Sequence, residues 1–212
     1  MRRLPVYLVL DTSGSMSGEP IQAVENGMQM LVSALRQDPQ ALESAYLSVI
    51  TFNSNANQVV PMTDLASFQM PSLSASGSTE LGAALTLVAN CANKEIVKST
   101  PEKKGDWRPL VFLMTDGEPT DNWQKGLNDF QSFRWGIVVC CAAGQGASTS
   151  VLTQICSNVV KLDTADSSSL AAFFKWVSAS ISTSSKSVND GNKEVTGMNQ
   201  LPPPPPEISV VW

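Results

Sequence analysis

Apolar strand-forming runs alternate with helical stripes along most of this chain, and no other feature limits its possible folds as strongly. "LPVYLVL" (4–10) is a continuous apolar run, as expected of a strand covered on both faces. Ile21, Val24, Met28, Leu31 and Leu35 then step by three and four along one helical stripe, and Pro20 suits its first turn. "AYLSVITF" (45–52) reads as the second strand. A short segment around Gln58–Met62 reads as an edge strand, because Pro61 has no N–H for a ladder. Leu81, Leu85 and Val88 begin another long helix, "PLVFLMT" (109–115) is a buried strand, and Trp123, Leu127 and Phe130 mark a short helix. "WGIVVCCA" (135–142), "VLTQI" (151–155) and "NVVKL" (158–162) predict strand, helix and strand. Leu170, Phe173, Val177 and Ile181 predict a last helix at about 166–182. Strands returned by helices pair in parallel through right-handed crossovers. The expected class is therefore α/β: a three-layer, doubly wound, mostly parallel sheet with one short antiparallel edge strand.

From Ser182 the composition turns polar and rich in Ser, Gly and Asn, then reaches "PPPPPE" and a final apolar "ISVVW". We expect one domain over 1–185. Residues 186–212 are expected to form a polar linker, a polyproline segment and an apolar tail, able to dock a partner by its proline rod or by strand addition. A chain of 212 residues with 42% hydrophobic content can bury one substantial core.

Several function classes are excluded. A net charge of −5 disfavours a phosphate-tracking surface, so nucleic acid is not an expected partner. Arg2 and Arg3 before an apolar run imitate a signal peptide, but Pro5 interrupts that run and Asp11 ends it without a cleavage site. No stretch is long enough to span a membrane, and a cytoplasmic location is expected. Cys91, Cys140, Cys141 and Cys156 lack CxxC spacing and read as small buried hydrophobes. The chain has no histidine, which removes imidazole-based nucleophile systems and HExxH zinc sites.

The first strand stops at "DTSGSM" (11–16), an oxygen-rich cluster. Asp11, Ser13 and Ser15 follow that strand, and Asp116 of "TDG" follows "PLVFLMT" in the same way. Ligands of open α/β sheets bind beyond the carboxyl ends of strands where the strand order reverses. A strand order of 3-2-1-4-5-6 would bring both carboxylates and both serines together there. Oxygen donors point to Mg²⁺, Mn²⁺ or Ca²⁺, and Mg²⁺ usually keeps several waters. A site built largely from neutral hydroxyls leaves the cation under-neutralised, so it should attract an external carboxylate.

"VYLVLDTSGSM", "GSTEL" (77–81) and "FLMTDGEP" (112–119) resemble the von Willebrand factor type A (VWA) domain, a Rossmann-like fold with a metal-ion-dependent adhesion site, or MIDAS. The resemblance covers about residues 4–185. It implies Mg²⁺ or Mn²⁺ held by Asp11, Ser13, Ser15, Thr79 and Asp116, with the hydroxyls as direct or water-assisted ligands and the aspartates acting partly through waters. A protein partner's Glu or Asp would complete the shell. The stretch "DTSGSMSGEPIQAVENGMQ" is also similar to bacterial tellurite-resistance-associated (TerY-like) proteins, which implies a stress-response signalling scaffold beside a protein kinase and a PP2C-type phosphatase. The C-terminal metal-binding module of some such relatives is not matched here.

A non-enzymatic, metal-dependent interaction module is the expected function. The alternative is a Mg²⁺-dependent phosphohydrolase in which Asp11 attacks phosphorus. Haloacid-dehalogenase-type sites need a second Asp two positions on, where this chain has Ser13. An aspartic protease fails on Ser13, which splits the Asp-Thr-Gly signature, and on the helix-rich pattern. Glu19 and Glu118 of the repeated "GEP" read as first-turn dipole partners. Trp123 and nearby Asp121 read as a recognition rim, with packing of Trp123 under the helix as the alternative.

Overall fold

The computed structural model describes residues 2–191 and 193–211. Its elements are β1 (Leu4–Asp11), α1 (Glu19–Gln37), α2 (Pro39–Ser44), β2 (Ala45–Phe52), β3 (Ala56–Asp64), α3 (Leu81–Glu95) and β4 (Leu110–Thr115). After these come α4 (Trp123–Gln131), β5 (Val138–Ala143), α5 (Thr149–Ile155), β6 (Val159–Leu162), α6 (Ser167–Asp190) and β7 (Ser209–Val211). One sheet in the order β3-β2-β1-β4-β5-β6-β7 carries them, with β2, β1, β4, β5 and β6 parallel. The order reverses between β1 and β4, the place expected to gather the oxygen cluster.

Side chains alternate across this sheet and feed two cores. Leu8, Leu10, Phe112 and Met114 face α1 and α6, together with Val24, Leu31, Phe173 and Val177. Tyr7, Val9, Val111 and Leu113 face the other way, against Leu85 and Val88 of α3 and Phe130 of α4. The adjacent Cys140 and Cys141 are both buried and divide between the two cores. Where α1 crosses α6, a Cβ on Gly27 would strike the Phe174 ring, so glycine permits that close approach. Arg2 stacks over Trp107, and Arg3 pairs with Asp106 at 2.6 Å, which fastens the start of β1 to the loop before β4.

Three expectations change. The antiparallel edge strand is not short: β3 runs nine residues, and Pro61 is accommodated in it. The last helix does not stop near Ser182 but continues to Asp190. Its polar end is built of small residues that pack closely. Ser178, Ser180, Ser184 and Ser185 are buried, and Ser180 and Ser184 return their hydroxyls to the carbonyls of Trp176 and Ser180, both at 2.8 Å.

The segment expected to be a linker packs against the domain. Val195, Leu201 and Ile208 enter the core, Trp176 donates its indole N–H to the Pro202 carbonyl at 2.8 Å, and β7 pairs antiparallel with β6. The apolar tail therefore becomes a second antiparallel edge strand. Burial of three separated apolar anchors, each contributing about 1.5–3 kcal/mol, offsets the ordering of an otherwise polar stretch.

Candidate metal site

The site forms where three loops leave the sheet. Register sets Leu10 opposite Met114, which places Asp11 beside Thr115 at the ends of β1 and β4. Asp11 is fully buried, and both its oxygens are occupied: Oδ1 accepts from the Ser13 N–H at 2.8 Å and Oδ2 from the Thr115 hydroxyl at 2.5 Å. Asp11 thus fixes the loop that follows it. The next turn, Gly14–Met16, directs two hydroxyls to one side, with Ser13 Oγ and Ser15 Oγ 3.0 Å apart. Ser15 then donates to Asp116 Oδ1 at 2.7 Å, joining the first loop to the one after β4.

Thr79 comes from the loop before α3, which is clamped on both sides. Gly14 N–H donates to the Gly77 carbonyl at 3.0 Å, Ser76 N–H to Thr12 O at 2.9 Å, and Glu80 N–H to Asn53 O at 2.9 Å. Gly77 has φ +76°, a left-handed conformation that glycine adopts freely, and a Cβ there would run into Ser54 Oγ. Thr79 also exchanges hydrogen bonds with Thr120: its N–H donates to Thr120 Oγ1 at 3.1 Å, and its carbonyl accepts from the Thr120 N–H at 2.9 Å. Its hydroxyl faces the third loop, because a Cβ on Gly117 would lie 3.5 Å from Thr79 Oγ1. Asp11, Ser13, Ser15, Thr79 and Asp116 therefore border one place.

Electrostatics suit a cation there. Burial pushes the Asp11 carboxyl above its ordinary range; hydrogen bonds from Ser13 and Thr115 oppose this, and the charge of Asp116 adds to the rise. Burial also raises Asp116, against the hydrogen bond from Ser15. Among the described residues no Lys or Arg forms an ion pair with either carboxylate. The donors are all oxygens, the set preferred by hard cations. Ser15 is exposed and Asp116 half-buried, so the cluster opens outward to an external ligand.

A profile of the von Willebrand factor type A domain matches residues 6–175. The chain belongs to this family. VWA structures share its fold: a von Willebrand factor type A protein from Catenulispora acidiphila superposes with TM-score 0.63 at 17% identity, covering 86% of this chain and 43% of the other. Proximal thread matrix protein 1 from the mussel byssus, in a form with a zinc-occupied MIDAS motif, gives 0.60 at 19% identity, covering 84% and 48%. The pilus adhesin SpaC from Lactobacillus rhamnosus GG gives 0.65 at 14%, covering 86% and 31%. In sequence, an uncharacterized Synechocystis protein is 33% identical over 124 residues, which is 55% of this chain. The VWA chain spans 26% of the length of that relative. No helix of the described residues is long and apolar enough to cross a membrane.

Sequence reasoning missed the residues that position these groups. Thr115 holds Asp11, and Thr120 holds Thr79. Asp121 has a structural duty the sequence did not show: its carboxylate accepts from the N–H groups of Gly82 and Ala83 at 3.1 and 3.0 Å, capping α3. Trp123 opens α4 and packs against the α3-side core. Glu19 does lie in the first turn of α1, yet its carboxylate also accepts from the N–H and hydroxyl of Ser167, at 3.2 and 2.9 Å. Glu118 lies in the loop before α4, outside any helix.

Proposed function

We propose that the chain is a metal-dependent protein-interaction module that takes up Mg²⁺ or Mn²⁺ at Asp11, Ser13, Ser15, Thr79 and Asp116. The observation that carries this reading is the Ser13–Ser15–Asp116 chain of contacts, an all-oxygen cluster open to solvent and backed by a buried acid that has no cationic partner among the described residues. A bound cation would supply Lewis-acidic attraction for a Glu or Asp carboxylate of a protein partner. The chain's own residues have simpler duties. Asp11 holds the first loop, Ser13 and Ser15 offer lone pairs, and Thr79 and Asp116 close the site from the other two loops.

A non-enzymatic role fits better than phosphoryl transfer. A nucleophilic carboxylate needs a free oxygen facing its substrate, whereas Asp11 is buried with both oxygens engaged. A narrower reading, a cytoplasmic stress-response scaffold for a kinase and a PP2C-type phosphatase in a bacterial tellurite-resistance system, has support only from the "DTSGSMSGEPIQAVENGMQ" stretch.

Calorimetric titration with Mg²⁺ and Mn²⁺ tests the proposal. Asp116→Ala and Thr79→Ala should each weaken binding about tenfold or more while leaving the far-ultraviolet spectrum unchanged. Wild-type affinity in both variants would refute the assignment. Partner capture with Mg²⁺ and with EDTA then separates metal-gated contacts from others.

A further inference from the structure

On the α3 side of the sheet two cysteine side chains meet. Cys156, just past the end of α5, places its sulfur 3.3 Å from that of Cys140 on β5, although the residues are 16 positions apart. The adjacent Cys141 is not in this arrangement, because alternation along β5 sends its side chain to the opposite face of the sheet. Cys91 sits on α3, and burial pushes its thiol up to about 11. The contact is asymmetric: Cys140 is fully buried, whereas Cys156 is half-buried.

We propose that Cys140 and Cys156 form a reversible disulfide when the protein meets a hydroperoxide, Cys156 attacking and Cys140 resolving. The Cys156 thiolate attacks one peroxide oxygen. The S–O bond forms, the O–O bond breaks, and the departing hydroxide (or alkoxide) takes a proton. The Cys140 thiol then loses its proton and attacks the Cys156 sulfur, forming S–S and breaking S–O, so that the sulfenic oxygen leaves as water. Two thiols are oxidised by two electrons and one peroxide is reduced.

The electrostatics agree with this division of labour. The contact with Cys140 outweighs burial and holds Cys156 below the ordinary thiol range, which favours its thiolate. The same contact, together with burial, pushes Cys140 well above that range. Bond formation requires the sulfurs to close to about 2.0 Å from van der Waals contact. The closed segment includes the turn between β5 and α5, where a Cβ on Gly146 would lie 2.7 Å from the Asp116 carbonyl. Oxidation therefore ties the wall beside the third metal loop to the sheet.

The test treats the folded full chain with a small excess of hydrogen peroxide, blocks remaining thiols, and maps peptides by mass spectrometry. The expected product is a Cys140–Cys156 linked pair, reversed by dithiothreitol and retained in Cys141→Ala, which removes the ambiguity of neighbouring cysteines. Cys156→Ser should abolish the link and leave Cys140 open to the blocking reagent after unfolding. Progress of Cys156 to sulfinic or sulfonic acid beside an unmodified Cys140 would overturn the proposal. So would a link that forms only in urea, or one that uses Cys91 or Cys141.

Discussion

Gly126→Ala places two opposing effects in one methyl group. Gly126 lies within α4, where alanine is favoured over glycine by about 1 kcal/mol. Its position faces the backbone of Gly82 on α3, and a Cβ there would overlap the Gly82 carbonyl and Cα. Backbone atoms cannot turn aside as a side chain can, so α4 must move away. Overpacking of this kind costs about 1–3 kcal/mol, and a backbone obstacle belongs at the upper end. The move also strains two ties between the helices, Asp121 to the Gly82 and Ala83 N–H groups and Thr86 Oγ1 to Asp129 at 2.8 Å. Net destabilisation should be about 2 kcal/mol, a melting temperature lower by about 4–8 °C for a chain of this length. Urea unfolding followed by circular dichroism measures the first figure and calorimetry the second. The segment before α4 carries Thr120, which holds Thr79. Mg²⁺ affinity should therefore fall as well, although Gly126 is not one of the proposed ligands. A variant as stable as wild type, or more so, would show that helix propensity outweighs the α3–α4 contact and would refute the argument.

Asp38→Ala should destabilise the protein by about 1 kcal/mol at neutral pH, because Asp38 Oδ1 accepts from Gln40 and Ala41 N–H at the start of α2. Although burial pushes its carboxyl up, hydrogen bonds from Ser182, Ala41 and Gln40, and the charge of Lys186, hold it below the ordinary range. A lowered native value means stability present above the unfolded value of about 3.9 and lost as pH falls through the native one. The gap between variant and wild type in urea midpoints should thus be full at pH 6 and close in stronger acid; a gap that widened in acid would contradict the sign. Trp176→Phe removes the N–H given to Pro202 and should loosen the C-terminal strap by about 1 kcal/mol. Faster amide exchange in β7 than in β6 would register this, and unchanged exchange in β7 would argue that apolar anchors alone hold the strap.

Much of the fold was legible because the central strands are covered on both faces and show as unbroken apolar runs. β1, β2 and β4 fall where such runs predict, and helices between them imply the parallel pairing, while the strand order that gathers the oxygen cluster was a supposition. Asp11, Ser13, Ser15 and Asp116 could be picked out because each follows a strand of this kind. Thr79 was legible only through the family resemblance of "GSTEL", since its loop is serine-rich and its place depends on Gly77, Ser54 and Thr120 in three different segments. The strap was hidden for another reason. Val195, Leu201 and Ile208 follow neither a helical nor a strand period, and the prolines between them suggest an isolated rod. The partners of that segment, the open edge of β6 and the Trp176 side of α6, are supplied by residues upstream of it.

The antiparallel direction of β7 decides where attachments to this domain would hang. Val211 pairs with Val159, the first residue of β6, so the strap ends at the pole where β1 begins and not at the pole of the metal loops. Whatever is joined at either end, whether a tag, a surface or a neighbouring domain, leaves from the far side and keeps the oxygen cluster facing outward. The two tethers would respond differently to tension. β1 is clamped between two parallel neighbours, which must be sheared together, whereas β7 can peel from β6 one pair at a time. A pull between the two ends should first release the strap, lengthening the tether while the metal loops stay intact.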